Sequence, residues 1–170
     1  MGRLVADLPA SCALREETGA DRDFVAQLYA STRADELKLA PWTPEDKQAF
    51  LRSQFELQYA HYREHYRNAN FWLITHADRP IGRLYLQQDT NEIRLMDVAL
   101  TPEQRGQGLG TSLMKAVLAH AKASGARVTL HVEPLNPAQR LYHRLGFRLV
   151  AERGLYHFLE WNADRSNPTF

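Results

Sequence analysis

The residues with the most evident chemical purpose run from position 97 to 115, Asp-Val-Ala-Leu-Thr-Pro-Glu-Gln-Arg-Gly-Gln-Gly-Leu-Gly-Thr-Ser-Leu-Met-Lys. Gly106, Gly108 and Gly110 hold alternate positions. Without Cβ atoms at those sites, the backbone can turn tightly and aim its N–H groups at a ligand. A β-prone run (Ile93, Leu95, Val98, Leu100) stops at Thr101-Pro102 before the glycines, and a helical pattern follows them. A helix start presents unpaired N–H groups and a partial positive charge. Strand, glycine loop and helix N-terminus together make a phosphate cradle. A purely structural turn seldom needs so many glycines in so short a span.

Groups able to move a proton cluster nearby in sequence. In the run 126–133, His131 and Glu133 share the face opposite Val128, Leu130 and Val132. A histidine titrates near neutrality, which suits a general base. Asp97 and Glu92 on the preceding strand compete for that task, and a water chain to solvent needs no single residue. A further pattern, His61-Tyr-Arg-Glu64-His65, matches the His-x-x-Glu-His of some zinc peptidases. It is short, lies in an aromatic-rich helix and has no other metallopeptidase feature around it, so no metal is expected.

The elements that must position these groups follow from periodicity. A strand over 12–17 precedes a helix from Asp21 to about 35, where Phe24, Val25, Leu28 and Tyr29 recur at helical spacing. Thr43-Pro44 with Asp46 reads as an N-terminal cap for a long helix over 44–66. That helix carries an aromatic stripe (Leu51, Phe55, Tyr59, Tyr62, Tyr66) beside a polar one (Gln54, Gln58, His61, His65). The aromatic face can dock on a sheet, and the polar one can line a pocket for a polar organic ligand. Strands are expected over 71–76, 81–87 and 92–100, with turns over 77–80 and 89–91. A helix over 108–124 ends at Gly125. Then come a strand over 126–133, a short helix over 138–145 stopped by Gly146, and a hairpin of 147–151 with 155–161.

The order is βααβββαβαββ. A strand–helix–strand crossover around the glycine loop implies a parallel pair within a mixed sheet, hence an α/β fold of one sheet covered by helices. The expectation is one domain over 1–170, with 1–11 a loose leader and 162–170 a frayed tail.

Composition sets the outer limits. The 170 residues are 44% hydrophobic and 24% charged, with a net charge of +1. That balance argues against a nucleic-acid-binding surface, and no run approaches the length of a membrane span. Asp7 and Pro9 interrupt any signal-peptide core. The single cysteine, Cys12, excludes an internal disulfide and fits a reducing, cytoplasmic setting.

Two motifs in one order carry a family resemblance. Arg105-Gly106-Gln107-Gly108-Leu109-Gly110 resembles the Arg/Gln-x-x-Gly-x-Gly/Ala pattern of the GNAT superfamily of acyl-CoA-dependent N-acyltransferases. Downstream, Asn136-Pro-Ala138-Gln-Arg-Leu141-Tyr142-His-Arg-Leu-Gly146-Phe147 is similar to that superfamily's Asn-x-x-Ala-x-x-Leu-Tyr-x-x-x-Gly-Phe segment. The match is tight over 92–147 and weakens in the helix over 44–66, where such enzymes vary with their substrates.

The resemblance implies acetyl-CoA, or another acyl-CoA, in a cleft where two parallel strands splay apart after Leu100 and Glu133. Main-chain groups of Val98, Ala99 and Leu100 would pair with the pantetheine arm. The amides of Arg105, Gly106, Gln107, Gly108, Leu109, Gly110 and Thr111 would bind the pyrophosphate. Asn136 would anchor the arm or cap its helix, and Tyr142 would bind at the thioester and protonate the departing thiolate as general acid. His131 falls where some relatives place a catalytic glutamate. Transfer within a ternary complex would need no nucleophilic cysteine.

The implied activity is N-acetyl transfer from acetyl-CoA to a primary amine of a small molecule, protein or peptide, by a monomer or homodimer. The rival is a non-catalytic acyl-CoA sensor of the same fold. A nucleotide-binding reading fails, since neither Gly-x-x-x-x-Gly-Lys-Ser/Thr nor Gly-x-Gly-x-x-Gly is present and Thr111 takes the last glycine position of the latter.

Overall fold

In the computed structural model of the protein, residues 8–165 are described. Strand β1 (Cys12–Glu16) leads into helices α1 (Arg22–Leu37) and α2 (Pro44–His65). Three strands follow, β2 (Ala69–His76), β3 (Arg79–Gln88) and β4 (Glu92–Leu100). Helix α3 (Leu109–Ser124), strand β5 (Arg127–Val132), helix α4 (Ala138–Arg144) and strands β6 (Arg148–Arg153) and β7 (Tyr156–Trp161) complete the chain. The predicted order βααβββαβαββ is the observed one, and the fold is mixed α/β.

The helix ends obey local chemistry. Thr43 Oγ1 accepts from the Asp46 amide at 3.1 Å with Pro44 at the first helical position, as the cap predicts. At the end of α3, Gly125 has φ +70°. Its N–H donates to Lys122 O at 3.3 Å while Ala126 N–H donates to Ala121 O at 2.9 Å, a Schellman closure. The turn between β2 and β3 is shorter than 77–80. Ala77 and Asp78 alone form it, both with positive φ, and Pro80 lies within β3.

Seven strands form one sheet in the order β1-β2-β3-β4-β5-β7-β6, antiparallel except for β4 with β5. One face packs on α3. Leu84 and Leu86 of β3, Ile93 and Leu95 of β4, and Val128, Leu130 and Val132 of β5 join Leu113, Met114, Val117 and Ala121 in the main core. The other face carries a smaller cluster, Val25 and Tyr29 of α1, Phe55 of α2 and Leu73 of β2. The aromatic stripe of α2 thus docks on the sheet.

Two irregularities shape the functional end. On β3, Leu86 pairs with Leu95 but Tyr85 pairs with Asp97, so Met96 is an extra residue in β4. A bulge bends its strand and increases the local twist. It also resets the alternation, since Leu95 and Val98, an odd number of residues apart, both pack on the α3 side. Beyond the bulge β4 leaves β5. Their pairing covers Glu92↔Arg127 to Leu95↔Leu130 and no further, although β4 runs on to Leu100 and β5 to Val132. The splay therefore opens earlier than the strand ends suggest.

The leader and tail are partly visible. Leu8 packs against the main core, and Ala163–Arg165 forms a short 3₁₀ turn. Residues 1–7 and 166–170 lie outside the described residues.

Candidate active site

The cleft begins where β4 loses β5. From Gly82↔Leu100 to Tyr85↔Asp97 the strand stays paired to β3, while its other edge has no strand partner after Leu95. Gly82 makes the β3 side of this arrangement possible. A Cβ there would stand 2.4 Å from the Ala99 carbonyl oxygen and 2.9 Å from Leu100 Cδ2. Val98 and Leu100, whose main-chain groups point away from β3, thus offer an open backbone edge of the kind that adds an extended, amide-bearing chain. Ala99 instead bonds toward β3, and the Leu100 carbonyl is already held by Arg105.

At the foot of that edge lies the glycine loop. Gly106 and Gly108 have φ of +72° and +81°, a left-handed conformation costly for other residues. A Cβ at either would meet nothing within 4 Å. Space, as well as torsion, is reserved there. Among the described residues the amides of Gly106, Gly108, Leu109, Gly110 and Thr111 donate no hydrogen bond, while that of Gln107 closes the turn over Arg105 and Gly106. The first engaged amide of α3 is Ser112 N–H, to Gly108 O at 3.0 Å. Five free donors at a helix N-terminus, with open space around Gly106 and Gly108, fit a pyrophosphate group.

Arg105 plays a different part from its neighbours. Its amide already donates to Pro102 O at 3.2 Å. Its guanidinium donates from Nε to Leu100 O and from Nη2 to Ser31 Oγ, each at 3.0 Å. Arg105 braces the loop against β4 and α1.

Tyr142, on α4, is 6% exposed and packs edge-on to Phe147 with ring centroids 5.6 Å apart. Its hydroxyl makes no hydrogen bond among the described residues. Burial pushes the phenol up to about 12, with the Asp97 carboxylate adding to the shift, so it keeps its proton at neutral pH. Asn136 Oδ1 accepts from Ala138 N–H at 2.9 Å and caps α4, leaving its Nδ2 without a partner among the described residues.

The base candidates fall in different places. His131 follows the last β4–β5 rung and lies against Phe158 of β7, ring centroids 4.9 Å apart. Partial burial, then the charges of Arg94 and Arg153, hold its imidazole below the usual histidine value. Glu133 is exposed just past β5. Asp97 stands at the bulge, ion-paired with Arg83 at 2.5 Å. Glu92 starts β4, at the far end from the open edge, and accepts from Thr129 Oγ1 and Arg127 at 2.7 Å each. Burial opposes its charge, but those bonds prevail and keep the carboxyl below the ordinary range.

Cys12 lies on strand β1, at the opposite edge of the sheet from β6 and three strands from β4. His61 and His65 stack on α2 at 4.4 Å, and no group of three or more His, Cys, Asp or Glu that could hold a metal ion forms among the described residues. No described helix is long and apolar enough to cross a membrane.

Sequence reading passed over Arg83. It is 3% exposed in the middle of β3, with Nη2 donating to Asp97 Oδ2 and, at 3.0 Å, to Gln58 Oε1 of α2. The available signal was a lone cation in the otherwise apolar run Ile81-Gly-Arg-Leu-Tyr-Leu, which calls for a buried counter-charge.

Comparison with known proteins follows this geometry. The description "Acetyltransferase (GNAT) family" matches residues 29–147. A mycothiol acetyltransferase of Thermobispora bispora is 34% identical over 152 residues, which is 83% of this chain and 48% of that protein. The chain therefore spans about half of that relative. A putative ribosomal protein bS18-alanine N-acetyltransferase of Bacillus subtilis is 28% identical, covering 88% of this chain and 89% of its own length. Among solved structures, PaiA N-acetyltransferase from Thermoplasma acidophilum, in complex with coenzyme A, superposes with a TM-score of 0.66 at 18% identity, over 89% of this chain and 99% of that one. Spermidine N-acetyltransferase from Vibrio cholerae, with CoA and spermine, gives 0.61 at 18%, over 93% and 99%. At such identities these structures speak to the fold alone. Because the family match runs from α1 through the amide cradle to Phe147, the chain belongs to the acetyltransferase (GNAT) family.

Proposed function

We propose that the protein transfers an acetyl group from acetyl-CoA to a primary amine, with both substrates held together in one ternary complex. The observation that carries this reading is the set of unengaged amides of Gly106, Gly108, Leu109, Gly110 and Thr111 at the foot of a strand edge unpaired among the described residues. When bound, acetyl-CoA supplies an activated thioester and a thiol leaving group. The edge of Val98 and Leu100 holds the amide-bearing arm, the loop amides and the start of α3 hold the pyrophosphate, and Asn136 Nδ2 is free to steady the arm.

The remaining residues handle protons. An amine attacks only when neutral, so a group must take its proton, and a leaving thiolate gains from receiving one. His131, an exposed residue whose imidazole partial desolvation, Arg94 and Arg153 draw below the usual histidine value, is suited to accept the first. Tyr142, a buried phenol that stays protonated, is suited to donate the second. No step asks anything of Cys12.

Calorimetry with acetyl-CoA, paired with thiol release over a panel of amines, tests this. Saturable binding and amine-dependent turnover are expected. Gly110→Trp should abolish binding without backbone strain, since Gly110 has ordinary helical torsions and its Cβ would first meet Leu100 Cδ1 at 4.0 Å. Wild-type affinity in that variant would refute the cradle. Binding with no turnover on any amine would leave a sensor in place of an enzyme.

A further inference from the structure

We propose that Arg83 is a positioning residue for the acceptor, joining the substrate-facing helix α2 to the Asp97 carboxylate so that Asp97 receives the ammonium group of the incoming amine. This rests on the acetyltransferase reading above. Arg83 sits in the centre of the sheet and is almost wholly buried, with its Nε unpartnered among the described residues. A guanidinium placed only for stability would be expected to have every donor satisfied, and an apolar pair would serve a core as well. Its other contacts explain its presence. One Nη reaches Asp97 Oδ2 at the β4 bulge and Gln58 Oε1 on α2, and the guanidinium lies 5.0 Å from the Tyr85 ring centroid.

The same helix makes a second tether. Tyr62, one turn after Gln58, directs its hydroxyl to the carbonyl of Met96, the bulged residue, at 3.4 Å. Helix α2 therefore grips β4 at the point where β4 leaves β5. Asp97 uses only Oδ2 for Arg83, and Oδ1 has no partner among the described residues. Its charge is felt at the Tyr142 hydroxyl. A half-engaged carboxylate at the bulge, where β4 parts from β5, is a docking point for a cation. Glu17, the other carboxylate that reaches Tyr85, is neutralised, being buried against Arg63 while it accepts the Tyr85 hydroxyl. That chemistry suits a single primary ammonium on an uncharged polar body better than a polycation.

The test uses the full chain and a primary amine that the wild type acetylates. Arg83→Lys keeps the charge but cannot span Gln58 and Asp97 together. Acceptor kcat/KM should fall about tenfold or more, as expected for a misplaced contact, with acetyl-CoA affinity within about twofold of wild type. Gln58→Leu should lose in the same direction, and Arg83→Lys/Gln58→Leu should be no worse than Arg83→Lys alone, because both act through one guanidinium. Wild-type acceptor kcat/KM in Arg83→Lys, additive losses, or an equal loss of acetyl-CoA affinity would each overturn the proposal. Should Arg83→Lys fail to fold, Asp97→Asn decides, where a raised acceptor KM supports the role and an unchanged one ends it. A wild type that binds acetyl-CoA but acetylates no amine defeats the enzymatic reading, and this inference with it. An active wild type with indifferent variants defeats this inference alone.

Discussion

Tyr142 and His131 are shifted in opposite directions, one a phenol kept protonated by burial, the other an imidazole drawn below its usual value by partial desolvation and two arginines. Tyr142→Phe should lower turnover on the order of a hundredfold, the smaller end of what a positioned proton donor contributes, while calorimetry finds acetyl-CoA affinity nearly unchanged. Wild-type turnover in that variant would remove the hydroxyl from the chemistry. For His131 the sign follows from its environment. A lowered value means the active, neutral form persists further into acid, so the acid limb of the pH–rate profile should lie below about pH 6.5, the ordinary histidine value. His131→Gln should displace that limb, and an unmoved limb would transfer the role to another group or to water. Both residues stood out as candidates from their types and their places in motif or strand face. Arg83 was not, because a charge inside a strand acquires meaning only when its partners, here 14 and 25 residues away in sequence, are known.

The glycine loop was the most legible element. Alternate glycines between a strand and a helix have few other uses, and the structure supplies positive φ at Gly106 and Gly108. Gly82 is its less visible counterpart. It lies in β3 with no turn around it, and only the approach of Ala99 O shows why a side chain is forbidden. Gly82→Ala should push the end of β4 outward, destabilising the protein by about 1–3 kcal/mol as overpacking does and weakening acetyl-CoA binding. Denaturant melts and calorimetry read the two effects, and an unperturbed variant would mean the strand edge adapts freely. Boundaries of helices with strong caps, such as the start of α2 at Pro44 and the end of α3 at Ser124, matched the residues that cap them. The β2–β3 turn did not, since Pro80 reads as a turn former although its missing N–H is tolerated inside β3.

Across the whole molecule, one sheet holds a smaller cluster under α1 and α2 and a larger one under α3. The first is fastened by Asp21, whose carboxylate accepts from both Arg15 Nη atoms at 2.8 Å and from the Thr18 amide at 2.9 Å, linking β1 to the start of α1. The Arg15 guanidinium, outweighing burial, holds that carboxyl well below the usual range. Its stabilisation is therefore full above the ordinary aspartate value and is lost as pH falls through the folded one. Asp21→Asn should lower Tm at pH 7 by an amount reflecting about 1 kcal/mol, the worth of a helix cap, and the gap should begin to narrow only below about pH 4 and continue narrowing as the pH falls further. A gap independent of pH would assign the loss to packing. The order of elements and the glycine loop came from local signals, namely periodicity, caps and glycine spacing, which operate over a few residues, and the proposed role of Tyr142 came from a family motif. The bulge at Met96, the early parting of β4 from β5, and the Gln58–Arg83–Asp97 link depend on register between strands and on contacts across long stretches of chain. Those are set by packing of the whole sheet, so only the tertiary structure could decide them.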